Sequence, residues 1–265
     1  MAATLPIVLH AGFHKTGTST VQQTLRANRA ALKPHCALRL KPQMRDLLHA
    51  CRSYATWPDP VGMAKLEMRA EAWVATLPAC THRALVISAE ELCGHMPGRE
   101  RIDSYAAAVP ILTTIARALT QRYEDPQLRI VLTTRAPDDW LQSAYWEHVK
   151  SSDITLSLDA FTARYAPAAD FDAIVAALAR DLAPRPVTAL PIEDHADAPA
   201  APILRLAGVP DAVIAGLARA PRANTRLPLP VLQELLDLNR RIDDREARRR
   251  AKQALVAAQQ PGPAP

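Results

Sequence analysis

Residues 12–20 read Gly-Phe-His-Lys-Thr-Gly-Thr-Ser-Thr and follow directly on a short apolar run. Two glycines, a lysine and four hydroxyl side chains crowd into one turn. That composition suits an anion, because backbone N–H groups at a helix N-terminus point at a ligand and the helix dipole favours negative charge there. Gly12 and Gly17 keep the spacing of the nucleotide loop G-x-x-x-x-G-K-[ST]. Thr18 stands where that motif has its lysine, and Lys15 lies mid-loop instead. A kinase lysine reaches the β- and γ-phosphates, whereas Lys15 would meet an anion at the loop centre, nearer a 5′-phosphate. An ordinary glycine loop closed by a Ser or Thr cap needs fewer such groups.

A second cluster lies in LTTRAPDDWLQSAYWEHVK at 132–150. A strand delivers Arg135, Pro137 and Asp138 open a helix, and Ser143 sits about one and a half turns into it. An arginine fork with a hydroxyl makes a phosphate clamp. Taken alone, a charged strand end and a surface serine account for the segment slightly better. Metal-dependent P-loop enzymes carry an acid near such a strand end to help hold Mg²⁺. Here the strand ends in a cation, which reads as a second phosphate site with no metal.

These groups need elements to hold them. Pro6–His10, Leu85–Ile87, Leu128–Thr134 and Val187–Ile192 read as short buried strands. Helical spacing fits stretches from about Ser19 to Pro34, then 61–77, 105–123, 138–150, 157–165, 170–182 and 229–250. In the second of these Leu66, Ala70, Trp73, Val74 and Leu77 form the apolar stripe. Residues 41–59, broken by Pro42, Pro58 and Pro60, read as irregular. Apolar strands alternating with amphipathic helices predict an α/β fold, a three-layer P-loop-like arrangement with a central parallel sheet between helices. One domain over 1–265 is expected, with a flexible tail from about 253.

Taken together, the two anion sites resemble the signature regions of sulfotransferases that use 3′-phosphoadenosine 5′-phosphosulfate (PAPS). K-[ST]-G-T-[ST] after a first strand is that family's 5′-phosphosulfate loop. R-x-P-x-D-x-x-x-S-x-Y is its 3′-phosphate region, matched by Arg135, Pro137, Asp139, Ser143 and Tyr145. The likeness is greatest to the bacterial branch, which also shows S-x-E after a middle strand, as in VISAEEL at 86–92, and N-x-R-L late, as in ANTRLP at 223–228. The resemblance implies a PAPS cofactor and no metal. It implies that Lys15 contacts the oxygen bridging phosphate and sulfate, and that Thr16, Gly17, Thr18, Ser19 and Thr20 hold the 5′-phosphate through N–H and hydroxyl groups. It also implies that Arg135 and Ser143 bind the 3′-phosphate, with Arg222 or Asn224 closing over the nucleotide.

Sulfuryl transfer to a hydroxyl or amine needs a group to take the acceptor's proton. Glu90 is the first candidate, because strand ends face the ligand crevice in open α/β sheets. Glu91 is the second and His14 the third. An acid stabilising a following turn is the plain alternative for Glu90. The histidine-bearing pattern of aryl and steroid sulfotransferases is missing, which favours a carbohydrate or other hydroxylated small molecule as acceptor. Tyr145, Trp146 and His148 have the helical spacing of core residues; Trp57 and Trp73 are candidates to line an acceptor cleft, with packing the more common role for such side chains.

The bulk properties fit. The chain has 265 residues, 49% of them hydrophobic and 22% charged, with a net charge of +5. This mild basicity suits an anionic ligand but not nucleic acid, which draws Lys and Arg into one stripe. The densest run, RRIDDREARRRAK at 240–252, is interleaved with acids and reads as a solvated helix face. Cys36, Cys51, Cys80 and Cys93 form no C-x-x-C pair, and His49 with Cys51 or Cys80 with His82 is spaced too closely for structural zinc. Free thiols and no membrane span predict a cytoplasmic protein. Two other classes stay open: a P-loop kinase, against which the displaced lysine counts, and a nucleotide-binding module without chemistry.

Overall fold

A computed structural model describes residues 5–78, 83–99, 101–123, 126–219 and 227–259. In chain order the elements are β1 (Pro6–His10), α1 (Thr18–Ala27), α2 (Arg29–Leu32), β2 (Cys36–Leu40), α3 (Arg45–Thr56), α4 (Pro60–Ala75) and β3 (Ala84–Ser88). There follow α5 (Ala108–Arg122), β4 (Gln127–Thr134), α6 (Pro137–Ser151), α7 (Leu158–Tyr165), α8 (Phe171–Asp181) and β5 (Val187–Pro191). The chain continues through α9 (Ala201–Leu206), α10 (Asp211–Ala215), α11 (Leu229–Arg241) and α12 (Arg245–Ala257).

The five strands form one parallel sheet in the order β2-β3-β1-β4-β5. Register runs from Ile7 opposite Leu85 to His10 opposite Ser88, and from Pro6 opposite Gln127 to His10 opposite Val131. The apolar strands alternate between two cores. Ile7, Leu9, Leu85, Ile87, Ile130 and Leu132 pack with side chains of α3 to α6, α8 and α11. Val8, Val86 and Val131 face the other way, with Val21 and Leu25 of α1, Leu32 of α2 and Ile203 and Leu204 of α9. Right-handed crossovers give this division: the step from β1 out to β2 puts α1 on one face, and the steps back across the sheet put α3 to α6 on the other.

Central β1 is therefore buried on both faces, and the loop after it opens at the carboxyl edge of the sheet. Val21 and Leu25, fully buried, pin α1 to the sheet. Each contributes about 1.5–3 kcal/mol by burial. Asp59, Ser157, Asp170 and Asp244 cap α4, α7, α8 and α12 by accepting backbone N–H bonds.

The expected α/β architecture is present, with corrections. Residues 41–59 are not irregular. They hold a short 3-10 turn and α3, preceded by the strand β2. The helix placed over 229–250 is two, broken at Ile242–Asp244, and the second runs on to Ala257, past the expected start of the tail. The run 240–252 is not wholly solvated: the Lys252 ammonium is buried and donates to the carbonyls of Val149 and Ser152, at 2.6 Å each, and to Asn239 Oδ1 at 2.7 Å. Among the described residues no helix is long and apolar enough to cross a membrane.

Candidate active site

The carboxyl ends of the strands surround a cleft of about 750 Å³. From β1 comes the loop 11–17. Gly12 is fully packed at φ 28°, where a Cβ would fall 2.2 Å from Thr18 Cγ2, so its role is to let the turn close and it does not line the cleft. Gly17 precedes α1 at φ 85°. Lys15, at φ 65°, is the one non-glycine with positive φ among the described residues. Such a conformation costs about 1–3 kcal/mol and persists only where its surroundings impose it. They do so here: Thr16 Oγ1 donates to Phe13 O at 2.6 Å and lies 2.7 Å from Thr133 Oγ1, and Arg135 Nη1 lies 3.4 Å from Lys15 O.

The result is a turn of open amides. No side chain caps α1, and its first internal bonds run from Thr20 and Val21 to Gly17 O. The amides of Lys15, Thr16, Gly17, Thr18 and Ser19 have no hydrogen-bond partner among the described residues. A concave run of free N–H groups at a helix start binds anions. Lys15, Gly17, Thr18, Ser19 and Thr20 line the cleft. The Thr16 hydroxyl does not, being fully buried and committed to the loop, so only its amide can serve an anion.

β4 ends at Arg135 and α6 presents Asp139, Ser143, Glu147 and Lys150 to the same cleft. β3 ends at Glu90 and Glu91, in a short 3-10 turn. β2, missing from the sequence reading, delivers Lys41, which pairs with Glu90 and reaches Glu91 at 3.1 Å. Gln22 of α1 donates to Glu90 Oε2 at 2.9 Å. Burial alone would raise the Glu90 carboxyl, but the Lys41 ammonium outweighs it by charge and hydrogen bond and holds it below the usual carboxylate range. Glu90 is thus an anchored anion. His14 Nδ1 and its amide both lie 3.2 Å from the Tyr105 hydroxyl. Burial lowers the His14 pKa to about 3 against the pull of Glu90, so the ring is neutral and weakly basic.

Other expectations resolve by packing. Tyr145 and His148 are core residues of α6, bonded to the carbonyls of Leu156 and Pro97. Trp73 is buried and donates to Gln43 O, while Trp57 is exposed beneath the Arg101 guanidinium, and neither lines the cleft. Cys36, Cys51 and Cys93 are buried free thiols. Arg222, Asn224, Cys80 and His82 lie outside the described residues. The sequence reading missed Lys41, Gln22, Arg52, Tyr105 and Glu147. For Lys41 the signal was there: it follows a strand, the position that had flagged Glu90 and Arg135.

A sulfotransferase-domain family model matches residues 7–185, a span running from β1 to just before β5 and holding the loop, Glu90, Arg135 and Ser143. No individual curated protein matches the chain. A sulfotransferase from Alicyclobacillus acidocaldarius is similar in structure at 16% identity and a TM-score of 0.46, covering 97% of this chain and 96% of its own. With the family match extending over more than half of its length, the chain belongs to the sulfotransferase family, whose reaction is sulfuryl transfer.

Proposed function

We propose that this protein moves the sulfuryl group of PAPS to a hydroxyl or amine of a carbohydrate or other hydroxylated small molecule. The observation that carries the reading is the run of unpartnered amides from Lys15 to Ser19, closed on one side by Lys15 and on the other by Arg135. Those donors suit a 5′-phosphosulfate. Arg135 and Ser143, both in the cleft wall, suit a 3′-phosphate. The strand end that bears an acid in metal-dependent P-loop enzymes bears this arginine instead. Bound there, PAPS supplies the sulfuryl group.

The chain's own groups then divide the work. The loop amides fix the leaving phosphate, and Lys15 stands where negative charge grows as the bridging S–O bond breaks. An acceptor oxygen in line with that bond forms the new S–O bond, and Glu90 takes its proton. Both Glu90 oxygens are already bonded, one to Lys41 and one to Gln22, which orients the carboxylate while leaving lone pairs for the acceptor O–H. The deciding experiment is calorimetric titration in EDTA with adenosine 3′,5′-bisphosphate and with AMP. The bisphosphate should bind well and AMP much more weakly. Equal affinities would remove the 3′-phosphate role and the PAPS assignment with it.

A further inference from the structure

Beside the reaction cleft lies a second, larger trough of about 1060 Å³ between α6, α7 and α12. The two share His95, Arg99 and Lys150 in their walls, so the trough opens into the place where the acceptor must sit. Among the described residues seven cationic side chains line it against one carboxylate, Asp153. Their pairing is uneven. Arg164, Arg248 and Arg249 meet Asp103, Asp153 and Glu246 at 3.3, 3.4 and 2.9 Å, and Lys150 meets Glu147. Lys252 spends its protons on Val149 O, Ser152 O and Asn239 Oδ1. Arg99 donates to the neutral Ser151 hydroxyl, and Arg245 has no acidic partner among the described residues. Positive charge is therefore left over along the wall, and the buried Lys252 ammonium adds to it without a carboxylate.

We infer that this trough is the acceptor subsite, and that the acceptor is an anionic polyhydroxylated chain: an oligosaccharide bearing carboxylate or sulfate groups. The inference rests on the sulfotransferase reading of the adjoining cleft, since transfer needs a hydroxyl and the trough leads to Lys15 and Glu90. Its volume exceeds that of a typical small-molecule site. Its wall has little to offer a nucleic acid. Tyr165, the one Phe, Tyr or Trp among the described lining residues, is buried, so those residues leave no aromatic face open for stacking bases. Excess cations against few carboxylates select for charge on the acceptor and make its binding salt-dependent.

The test is calorimetry with adenosine 3′,5′-bisphosphate present at saturation. The probes are a chondroitin 4-sulfate tetrasaccharide, neutral cellotetraose and a single-stranded oligodeoxynucleotide of matched charge. The anionic tetrasaccharide should bind at least about tenfold more tightly than cellotetraose and weaken as salt is raised. Arg245→Gln/Arg249→Gln removes two exposed cations without disturbing the core. It should weaken the tetrasaccharide about fivefold to tenfold while leaving the nucleotide Kd within about twofold. Arg205→Gln, on the opposite side of the sheet, serves as the control and should change neither. Equal binding of the two sugars, an unaffected double variant, or an oligonucleotide binding as well as the tetrasaccharide each overturns the inference while the donor reading stands. Failure of the wild type to bind adenosine 3′,5′-bisphosphate overturns the donor reading and the acceptor role together.

Discussion

Lys15 Nζ donates to Glu147 Oε2 at 3.1 Å, tying the phosphate loop to the third turn of α6. Lys150 reaches the same oxygen at 2.9 Å. Burial would raise the Glu147 carboxyl, but the two ammonium groups outweigh it and keep it ionised. The cation proposed to meet the leaving phosphate thus has a resident anion, and an incoming phosphate must compete with that carboxylate for Lys15. Glu147→Gln should tighten adenosine 3′,5′-bisphosphate binding about threefold to tenfold, the scale of one partly exposed ion pair. Calorimetry reads this directly. Weaker binding by the variant would show that Glu147 holds Lys15 in place for the ligand rather than against it.

Among the described residues Arg135 makes one long contact, to Lys15 O at 3.4 Å, so little of the fold depends on its side chain. Arg135→Ala should keep the melting temperature near wild type and weaken adenosine 3′,5′-bisphosphate by about 2–4 kcal/mol. AMP, lacking the 3′-phosphate, should lose far less. Arg135→Lys should recover only part, since an ammonium cannot make the paired fork. The 3′-phosphate assignment fails if the alanine variant binds both nucleotides as the wild type does.

Much of this site was legible before the fold was known, for a physical reason. In a parallel sheet the chemistry gathers at strand ends, so recognising β1, β3 and β4 located the loop, Glu90 and Arg135. What was lost followed from one missed strand. Cys36–Leu40 is five residues at the sheet edge with a buried–intermediate alternation, and Pro34 and Pro42 flank it. Its pattern is too short and too weakly apolar to stand out. With β2 went Lys41, the group that sets the charge state of Glu90. Glu147 and Gln22 were illegible for another reason. Their roles arise from tertiary contacts to Lys15 and Glu90, at sequence separations that no periodicity reports. The Thr16 hydroxyl was assigned to the ligand because motif position does not reveal where a side chain points.

Three histidines with pKa values lowered by burial, His14 at the cleft and two in the core, set a stability profile in acid. His148 Nε2 donates to Pro97 O at 2.7 Å, and His10 Nδ1 lies 2.8 Å from Ser88 Oγ. The other nitrogen of each core ring, His148 Nδ1 and His10 Nε2, is buried without a partner among the described residues. Protonation would bury an unpaired N–H⁺, and burial accordingly lowers each pKa from 6.5 to about 4. The unfolded chain binds these protons first as pH falls. Stability is therefore full above about pH 6.5 and declines progressively towards pH 4. At about 1.4 kcal/mol for each tenfold change in proton affinity, each ring removes about 3 kcal/mol over that window. Urea unfolding across pH 4–7 should show the decline, and His148→Gln, whose amide can still donate to Pro97 O, should show a shallower one. An unchanged slope in the variant means that other groups carry the acid sensitivity.

The pairing of Lys41 with Glu90 makes the proton acceptor testable by pH as well as by truncation. Glu90 can take a proton only as carboxylate, so activity should fall on the acid side through its pKa. Burial raises that pKa, and Lys41 more than reverses the effect, which puts the acidic limb below the ordinary carboxylate range. In Lys41→Met the main opposing charge is gone and burial dominates, so the limb should move to higher pH. Arg52, 3.7 Å from Glu91, remains to balance the neighbouring acid. Glu90→Gln should lower kcat by about 10²- to 10⁴-fold, the usual cost of losing a general base. Its affinity for adenosine 3′,5′-bisphosphate should stay near wild type, because Glu90 need not touch the nucleotide. Lys15→Ala should lower kcat more than it weakens nucleotide binding, because its partner charge develops only as the S–O bond breaks. The measurements are nucleotide affinity by calorimetry and transfer from radiolabelled PAPS as a function of pH. A normal Glu90→Gln with an inactive Glu91→Gln or His14→Ala would move the base along the chain and leave the chemistry in place. Full activity in all three would mean that no side chain in this cleft takes the proton and that the acceptor ionises unaided.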